Sequence, residues 1–334
     1  MLTDHLIIMI YKDKIYGPVK ITEPVILELI KSKPLQRLEG IDQGGYYKPY
    51  FPLVNRNRFE HSLGVYILLN KRQVKIEEQI AGLIHDVSHT AFSHTTEYAI
   101  GGSSGEQNHQ DKIHNNFIKQ TEIPDILQKH NFKIEFILDD NNFPLKETQL
   151  PDLCADRIDY LLRDAYAYKE ITLKDVKEIL DNLITIDKKW VFKNFLSAQK
   201  FAFLFGKMNR KYYADKIAAL IYHTVGDCIK YALDKKYLTI KDLYTTDNLV
   251  ISKIKMHIDD KKLRKLFDRM NGKFAYEINS KDYNIFVQLK SRVVDPLFLK
   301  SNIAVRYSGI NKKWGKIIQE ESKPKKYYIK FITS

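Results

Sequence analysis

Ten histidines occur in the 334-residue chain, and five of them (His61, His85, His89, His94 and His109) fall within 49 residues. Scattered structural histidines do not cluster in this way, and a dense imidazole set is material for metal ligation or proton transfer. His85 and Asp86 are adjacent behind the apolar run 80–84. That places an imidazole and a carboxylate at the end of a buried helix, a costly place for a charge unless something binds it. Upstream, the segment 58–65 opens another apolar helix with His61 in its first turn, and downstream Asp156, Tyr160 and Asp164 recur at i, i+4 and i+8 on one helical face. Two imidazoles and two carboxylates from three helices would neutralise one divalent ion and leave positions open for water and phosphate oxygens.

The elements that must position these residues read as helical. From Phe59 to about Lys236 apolar residues recur at helical spacing, as in Leu63, Ile67 and Leu68, or Ile80, Leu83 and Ile84, which predicts an all-α core. Residues 6–21 alternate apolar and polar around Gly17-Pro18, as a small β ribbon would. Thr22 is then expected to cap a helix running to about Lys33, with Pro24 in its first turn and Pro34 past its end. Beyond residue 237 helical and strand-like stretches mix, with 283–294 and 327–333 the expected strands. The expected organisation is mainly α: a ribbon and helix over 1–50, a helical core over 51–236, and a mixed α+β region over 237–334. The stretch 101–105, Gly-Gly-Ser-Ser-Gly, lacks a following Gly-Lys-Ser/Thr and follows no predicted strand, so it reads as a flexible loop and not a phosphate-binding loop.

Composition narrows the class. No run of 18 apolar residues is present, so no membrane-spanning helix is expected. The apolar stretch 6–11 is too short for a secretory leader, and two cysteines, Cys154 and Cys228, make neither a disulfide framework nor a cysteine-based zinc site. A reducing, cytoplasmic setting is the expectation. The charge is uneven: residues 1–236 hold 33 basic and 31 acidic side chains, a surplus of +2, while residues 237–334 hold 21 and 10, a surplus of +11. Such a basic end would attract a polyanion, nucleic acid or a nucleotide effector.

The ordered set His, His-Asp, Asp in helical contexts resembles the HD-domain metal phosphohydrolases. Three extended segments carry the likeness: 57–65 (Asn-Arg-Phe-Glu-His-Ser-Leu-Gly-Val), 85–94 (His-Asp-Val-Ser-His-Thr-Ala-Phe-Ser-His) and 155–164 (Ala-Asp-Arg-Ile-Asp-Tyr-Leu-Leu-Arg-Asp). They are similar to the motifs of the deoxynucleoside triphosphate triphosphohydrolase branch, and the likeness runs from about residue 35 to about 216, with an echo at 292–296. The resemblance implies that His61, His85, Asp86 and Asp156 ligate one divalent transition metal (iron, manganese, zinc or nickel), with magnesium accompanying the nucleotide. It implies attack of water at the α-phosphorus and release of nucleoside and triphosphate. His94, with His109 second, is then the general acid for the departing 5′-oxygen. His89 contacts the phosphates or that acid, and Glu97 orients an imidazole. By the same resemblance Arg58 and Arg157 hold triphosphate oxygens, Tyr160, Asp164 and Gln43 meet the sugar or base, and Tyr213 crowds the 2′ position. Family members assemble as dimers or tetramers, so a homo-oligomer is implied.

The sequence also departs from that branch. Gln110 follows His109 where relatives have glutamate, Asp215 precedes Lys216 where relatives have histidine, and Lys31 and Glu39 stand where guanine-sensing residues occur in nucleotide-activated relatives. Activation by that route is not expected. Two other readings stay open: an HD phosphohydrolase acting on another nucleotide or phosphoester, and a nucleic-acid-binding protein with a vestigial site. His114, His130, His223 and His257 match no motif and are read as structural.

Overall fold

A computed structural model describes residues 8–100 and 109–332, with side chains from residue 113 onward in the second stretch. The helix Arg58–Lys71 lies at the centre. It buries residues on every side, Phe59, Leu63, Val65, Tyr66 and Leu69 among them, and a helix apolar all round must be enclosed by others. Asn57 starts it by accepting the Glu60 backbone N–H at 2.8 Å. The helices Ile76–Ile84 and Ala155–Ala167 pack against it. A further pair, Phe195–Met208 and Lys216–Asp234, completes the helical body.

Among the described residues, three small sheets decorate that body. Strands β1 (Met9–Asp13) and β2 (Gly17–Ile21) form an antiparallel ribbon. Strands β3 (Leu183–Ile186) and β4 (Lys189–Phe192) form a hairpin. The remaining strands are β5 (Ala275–Ile278), β6 (Ile285–Leu289), β7 (Leu297–Lys300), β8 (Ile303–Arg306) and β9 (Lys325–Ile332). They pair in the orders β3-β4-β7-β8 and β5-β9-β6, with β4 and β7 parallel. Among the described residues, no helix is long and apolar enough to cross a membrane.

Several expectations need correction. The ribbon turns at residues 14–16, where Asp13 accepts the N–H groups of Ile15 and Tyr16 at 2.8 and 2.9 Å, so Gly17-Pro18 opens β2 instead. The first helix is Pro24–Lys31 with Glu23 at its N-cap, and Pro34 sits in the first turn of a second helix, Lys33–Arg37. The core is not all-α, because the β3–β4 hairpin interrupts it. Its turn places Asp187 and Lys188 at φ 46° and 58°, the left-handed pair a two-residue hairpin needs, in a dipeptide without the usual glycine. The sheet joining β4 to β7 also spans residue 236, so the change in composition there is not a structural seam. The 101–105 stretch lies outside the described residues.

Candidate active site

Three helices and one loop bring the four predicted ligands together. His61 lies in the first turn of Arg58–Lys71, His85 at the C-cap of Ile76–Ile84 with Asp86 next to it, and Asp156 in the first turn of Ala155–Ala167. The Nε2 atoms of His61 and His85 are 3.3 Å apart. Asp156 Oδ1 is 2.9 Å from the first and 3.5 Å from the second, and Asp86 approaches them to 3.9 and 3.4 Å. Four ligands at about 2.1 Å around one ion stand about 3.0–3.4 Å from each other. His61, His85 and Asp86 form one group that could hold a divalent ion, and Asp156 Oδ1 lies against both imidazoles from the side of its own helix.

The backs of both imidazoles are held. His85 Nδ1 bonds to the Gly82 carbonyl at 2.8 Å, which satisfies a carbonyl at the helix end and leaves Nε2 to face the site. His61 Nδ1 donates to Asp159 at 2.8 Å, and Asp159 in turn receives Arg163 Nε and Nη2 at 3.0 and 2.9 Å. Arg163 reaches on to Asp13 of the ribbon at 3.1 Å. A carboxylate behind a ligating imidazole fixes its tautomer and raises its basicity. Gly64 makes room for this chain, since a Cβ there would lie 2.0 Å from Asp159 Oδ1 and 2.2 Å from Arg163 Nη2. Asp13, Asp159 and Arg163 escaped the sequence reading. The available signal was the Asp159/Arg163 pair at i, i+4, one row beside the Asp156–Tyr160–Asp164 face.

Charge within the cluster is balanced by proximity. Burial pulls the His61 imidazole down, but hydrogen bonds with Asp156 and Asp159 outweigh it and raise it to about 10. The proton so retained is the one a metal ion replaces. Burial pushes Asp86 up, yet Arg58, His85 and His89 together hold it well below the carboxylate range. Asp156 is held low in the same way, against burial, by His61 and His85. His89 is kept neutral by burial and by the Arg58 charge, and its Nε2 lies 3.3 Å from Asp86.

The remaining predicted residues divide into those that face the cluster and those occupied elsewhere. His94 packs its ring 4.8 Å from His89, and its Nδ1 bonds Glu97 at 2.7 Å. Arg58 is buried, with Nη1 2.5 Å from Asp86 and Nε donating to Ser93 Oγ at 2.7 Å. Arg157 donates to the carbonyls of Asp152 and Thr148 at 2.7 and 3.1 Å and pairs with Glu147 at 3.2 Å, so its guanidinium ties down the 147–152 loop. The side chain of His109 lies outside the described residues. His130 pairs with Glu28, His223 with Asp227, His257 stacks on Tyr237, and His114 bonds Ser88. Each of these four has a local partner outside the four-ligand set.

Near the cluster, the Tyr160 hydroxyl and Gln43 Oε1 are buried without a hydrogen-bond partner among the described residues. The Tyr160 and Tyr213 rings meet edge to face at 5.7 Å, and Tyr213 stands beside Asp164. Asp164 itself pairs with Arg56, whose guanidinium lies between the rings of Tyr47 and Tyr168 at 5.0 and 5.1 Å. Gly44 is required there, because a Cβ would come within 2.2 Å of Arg56 Nη2. Buried polar atoms without partners cost free energy and mark where a ligand's own donors and acceptors belong.

The family model described as HD domain matches residues 58–166. Over 328 residues the chain is 35% identical to the uncharacterised protein YdhJ of Bacillus subtilis, covering 96% of this chain and 98% of that one. It is 37% identical over 185 residues to the metal-dependent phosphohydrolase cns2 of Cordyceps militaris, covering 55% of this chain and 52% of that protein. A Dictyostelium discoideum homologue of the deoxynucleoside triphosphate triphosphohydrolase SAMHD1 is 26% identical over 287 residues, which span 77% of this chain and 54% of that one. Among solved structures, a hypothetical protein from Aquifex aeolicus superposes with a TM-score of 0.75 at 25% identity, covering 98% of this chain and 96% of that one. The chain belongs to the HD-domain superfamily, in one family with YdhJ.

Proposed function

We propose that this HD-domain chain is a metal-dependent phosphohydrolase that converts deoxynucleoside triphosphates to deoxynucleoside and inorganic triphosphate. The observation that carries the reading is the grouping of His61, His85 and Asp86, with Asp156 Oδ1 against both imidazoles, and the His94–Glu97 pair joined to it through the His89 ring. A divalent ion bound there supplies Lewis acidity to a phosphate oxygen and acidifies water. Hydrolysis forms a bond from a water oxygen to the α-phosphorus and breaks the bond from phosphorus to the 5′-oxygen. An alkoxide leaves poorly without a proton, and His94 would give one. Glu97 holds its Nδ1 at 2.7 Å, so Nε2 would carry the transferable proton. Tyr160, Gln43 and Asp164 would receive the sugar hydroxyl and base edge, and the Tyr213 ring would sit against C2′. The likeness to the SAMHD1 homologue supports this substrate class.

One observation favours a second reading. Arg58 and Arg157 are both engaged inside the protein, which takes from a triphosphate the two cations that the resemblance assigns to it and suits a phosphomonoester. Anion-exchange analysis of products from all four dNTPs and four NTPs, with metal supplied and an Asp86→Ala control, decides between them. Deoxynucleoside plus triphosphate, absent from the control, is the expected result. Orthophosphate released from a monophosphate would replace the first reading with the second, and the absence of triphosphate under every metal would overturn it.

A further inference from the structure

Among the described residues, the sheet β5-β9-β6 turns one face to the core and keeps Phe286 and Lys326 exposed on the other. Val287, Leu289, Ile329 and Phe331 face the helix Lys216–Asp234 and are buried with its Ala218, Leu220 and Tyr222. The two-residue period of a strand sends Phe286, Lys326, Tyr328 and Lys330 to the opposite face. Phe286 and Tyr328 are direct cross-strand partners with ring centroids 5.0 Å apart, and Tyr283 meets the same Tyr328 ring at 5.0 Å. Tyr283 and Phe286 are 45% and 46% exposed. Rings gathered on an outer sheet face point to an interaction surface more than scattered exposed ones do.

The charge around them selects the partner. Residues 273–290 and 323–332 carry seven lysines against Glu277 and Asp282, a surplus of +5. Lys326 is exposed beside the ring pair, and Lys330 bridges to Asp282 at its edge. A second copy of the chain would bring the same positive surplus to the same face, which opposes self-association. A single strand of nucleic acid supplies what the face lacks, because its bases stack on exposed rings and its phosphates meet the lysines. A duplex keeps its bases stacked on each other and offers none to the rings.

We infer that this outer face is a platform for single-stranded nucleic acid, with bases on Tyr283, Phe286 and Tyr328 and phosphates on Lys326 and its neighbours. The inference uses none of the residues of the proposed reaction and stands or falls apart from it. Fluorescence anisotropy with the full chain and labelled DNA and RNA strands of about 15 nucleotides tests it. Binding should weaken steeply with salt, and the matching duplex should bind less tightly. Phe286→Ala and Tyr328→Ala should each raise Kd about tenfold, one stacked base's worth, and Lys326→Glu should weaken binding and flatten the salt slope. Melting temperature and hydrolysis should stay at the wild-type level. Phe286→Leu keeps the apolar bulk without the ring, so it separates loss of stacking from loss of fold. No binding at low salt, equal binding of the duplex, or indifference to both aromatic substitutions would overturn the platform. So would a sedimentation result in which Phe286→Ala splits a dimer and leaves nucleic-acid binding unmoved.

Discussion

The support behind His61 makes a quantitative prediction. Asp159 is fully buried and accepts His61 Nδ1 at 2.8 Å and Arg163 twice, while Arg163 also bonds Asp13. Two carboxylates around one guanidinium leave that triad with a net charge of −1, which favours the cation His61 is proposed to help hold. Burial raises Asp159, but Arg163 and His61 outweigh it and keep the carboxyl below its ordinary range, so it is ionised at neutral pH. Asp159→Asn preserves the size and can still accept from His61, while it takes the triad to neutral. Losing the carboxylate behind a ligating imidazole costs about 10- to 100-fold in metal affinity, or roughly 1.4–2.7 kcal/mol. The assay is competition of the purified chain with a chromophoric chelator for zinc or manganese, alongside urea denaturation of the metal-free chain. Metal affinity should fall by that factor in the variant. Affinity within twofold of wild type, in a variant that unfolds as wild type does, would refute both the ligand role of His61 and the argument from charge.

Asp86→Ala should abolish metal uptake and hydrolysis together, and near-native activity would remove the ion from this place. His94→Ala should lower kcat by about 10²- to 10⁴-fold with metal content unchanged, the size expected of a lost general acid, and Glu97→Gln should show a smaller loss of the same kind in steady-state rates. Gly64→Ala drives a Cβ into the Asp159–Arg163 pair, and breaking such a buried pair costs about 3–5 kcal/mol; a loss under about 1 kcal/mol in urea titration would show the pair to be yielding. Glu170 is pushed up by burial, but Lys207, Lys211 and Tyr212 together lower it from 4.5 to about 2. The folded chain thus prefers its carboxylate, and the stability it adds is full above pH 4.5 and fades as the pH falls towards 2. Glu170→Gln should flatten that part of a melting-temperature profile.

The proximity of the candidate ligands was legible in the sequence, because helical spacing and the ordered His, His-Asp and Asp segments mark which residues face one place. His61 and Asp156 sit in the first turn of their helices and His85 at the C-cap of its own, so each lies at a boundary of an apolar run that shows in the residues themselves. What sits behind them was not legible. Asp13 reaches Arg163 across 150 positions and Arg56 reaches Asp164 across 108, and no periodicity encodes a contact that long. The two arginines illustrate the same limit. Local sequence offers Glu60 to Arg58 and Asp164 to Arg157, whereas the fold gives Asp86 to the first and Glu147 to the second, with Glu60 turned to Lys14 at 2.7 Å. The β3–β4 hairpin was hidden for a different reason, since a turn built from Asp187 and Lys188 carries no glycine to announce it.

The loop from His85 to Glu97 shows how far such long-range contacts govern the site. It is not a helix for most of its length, and Phe92 and Ser93 sit at φ 58° and 51°, a backbone region that costs on the order of 1–3 kcal/mol for each side chain other than glycine. The loop keeps that shape because its polar groups are met from outside. Asp247 accepts the N–H of Phe92 at 2.7 Å and of Asp42 at 2.9 Å, the Leu243 carbonyl accepts from Ala91 at 2.7 Å, and Arg37 donates to the carbonyls of Val87 and His89 at 2.7 Å. Ser93 Oγ receives Arg58 and donates to the Asp42 carbonyl at 2.6 Å. The segment 243–247, which composition assigns to the basic C-terminal region, is therefore part of what holds the His94–Glu97 pair beside the ligands. A loop with this geometry cannot be specified by its own residues, and the region past residue 237 has to be counted as part of the candidate site's framework.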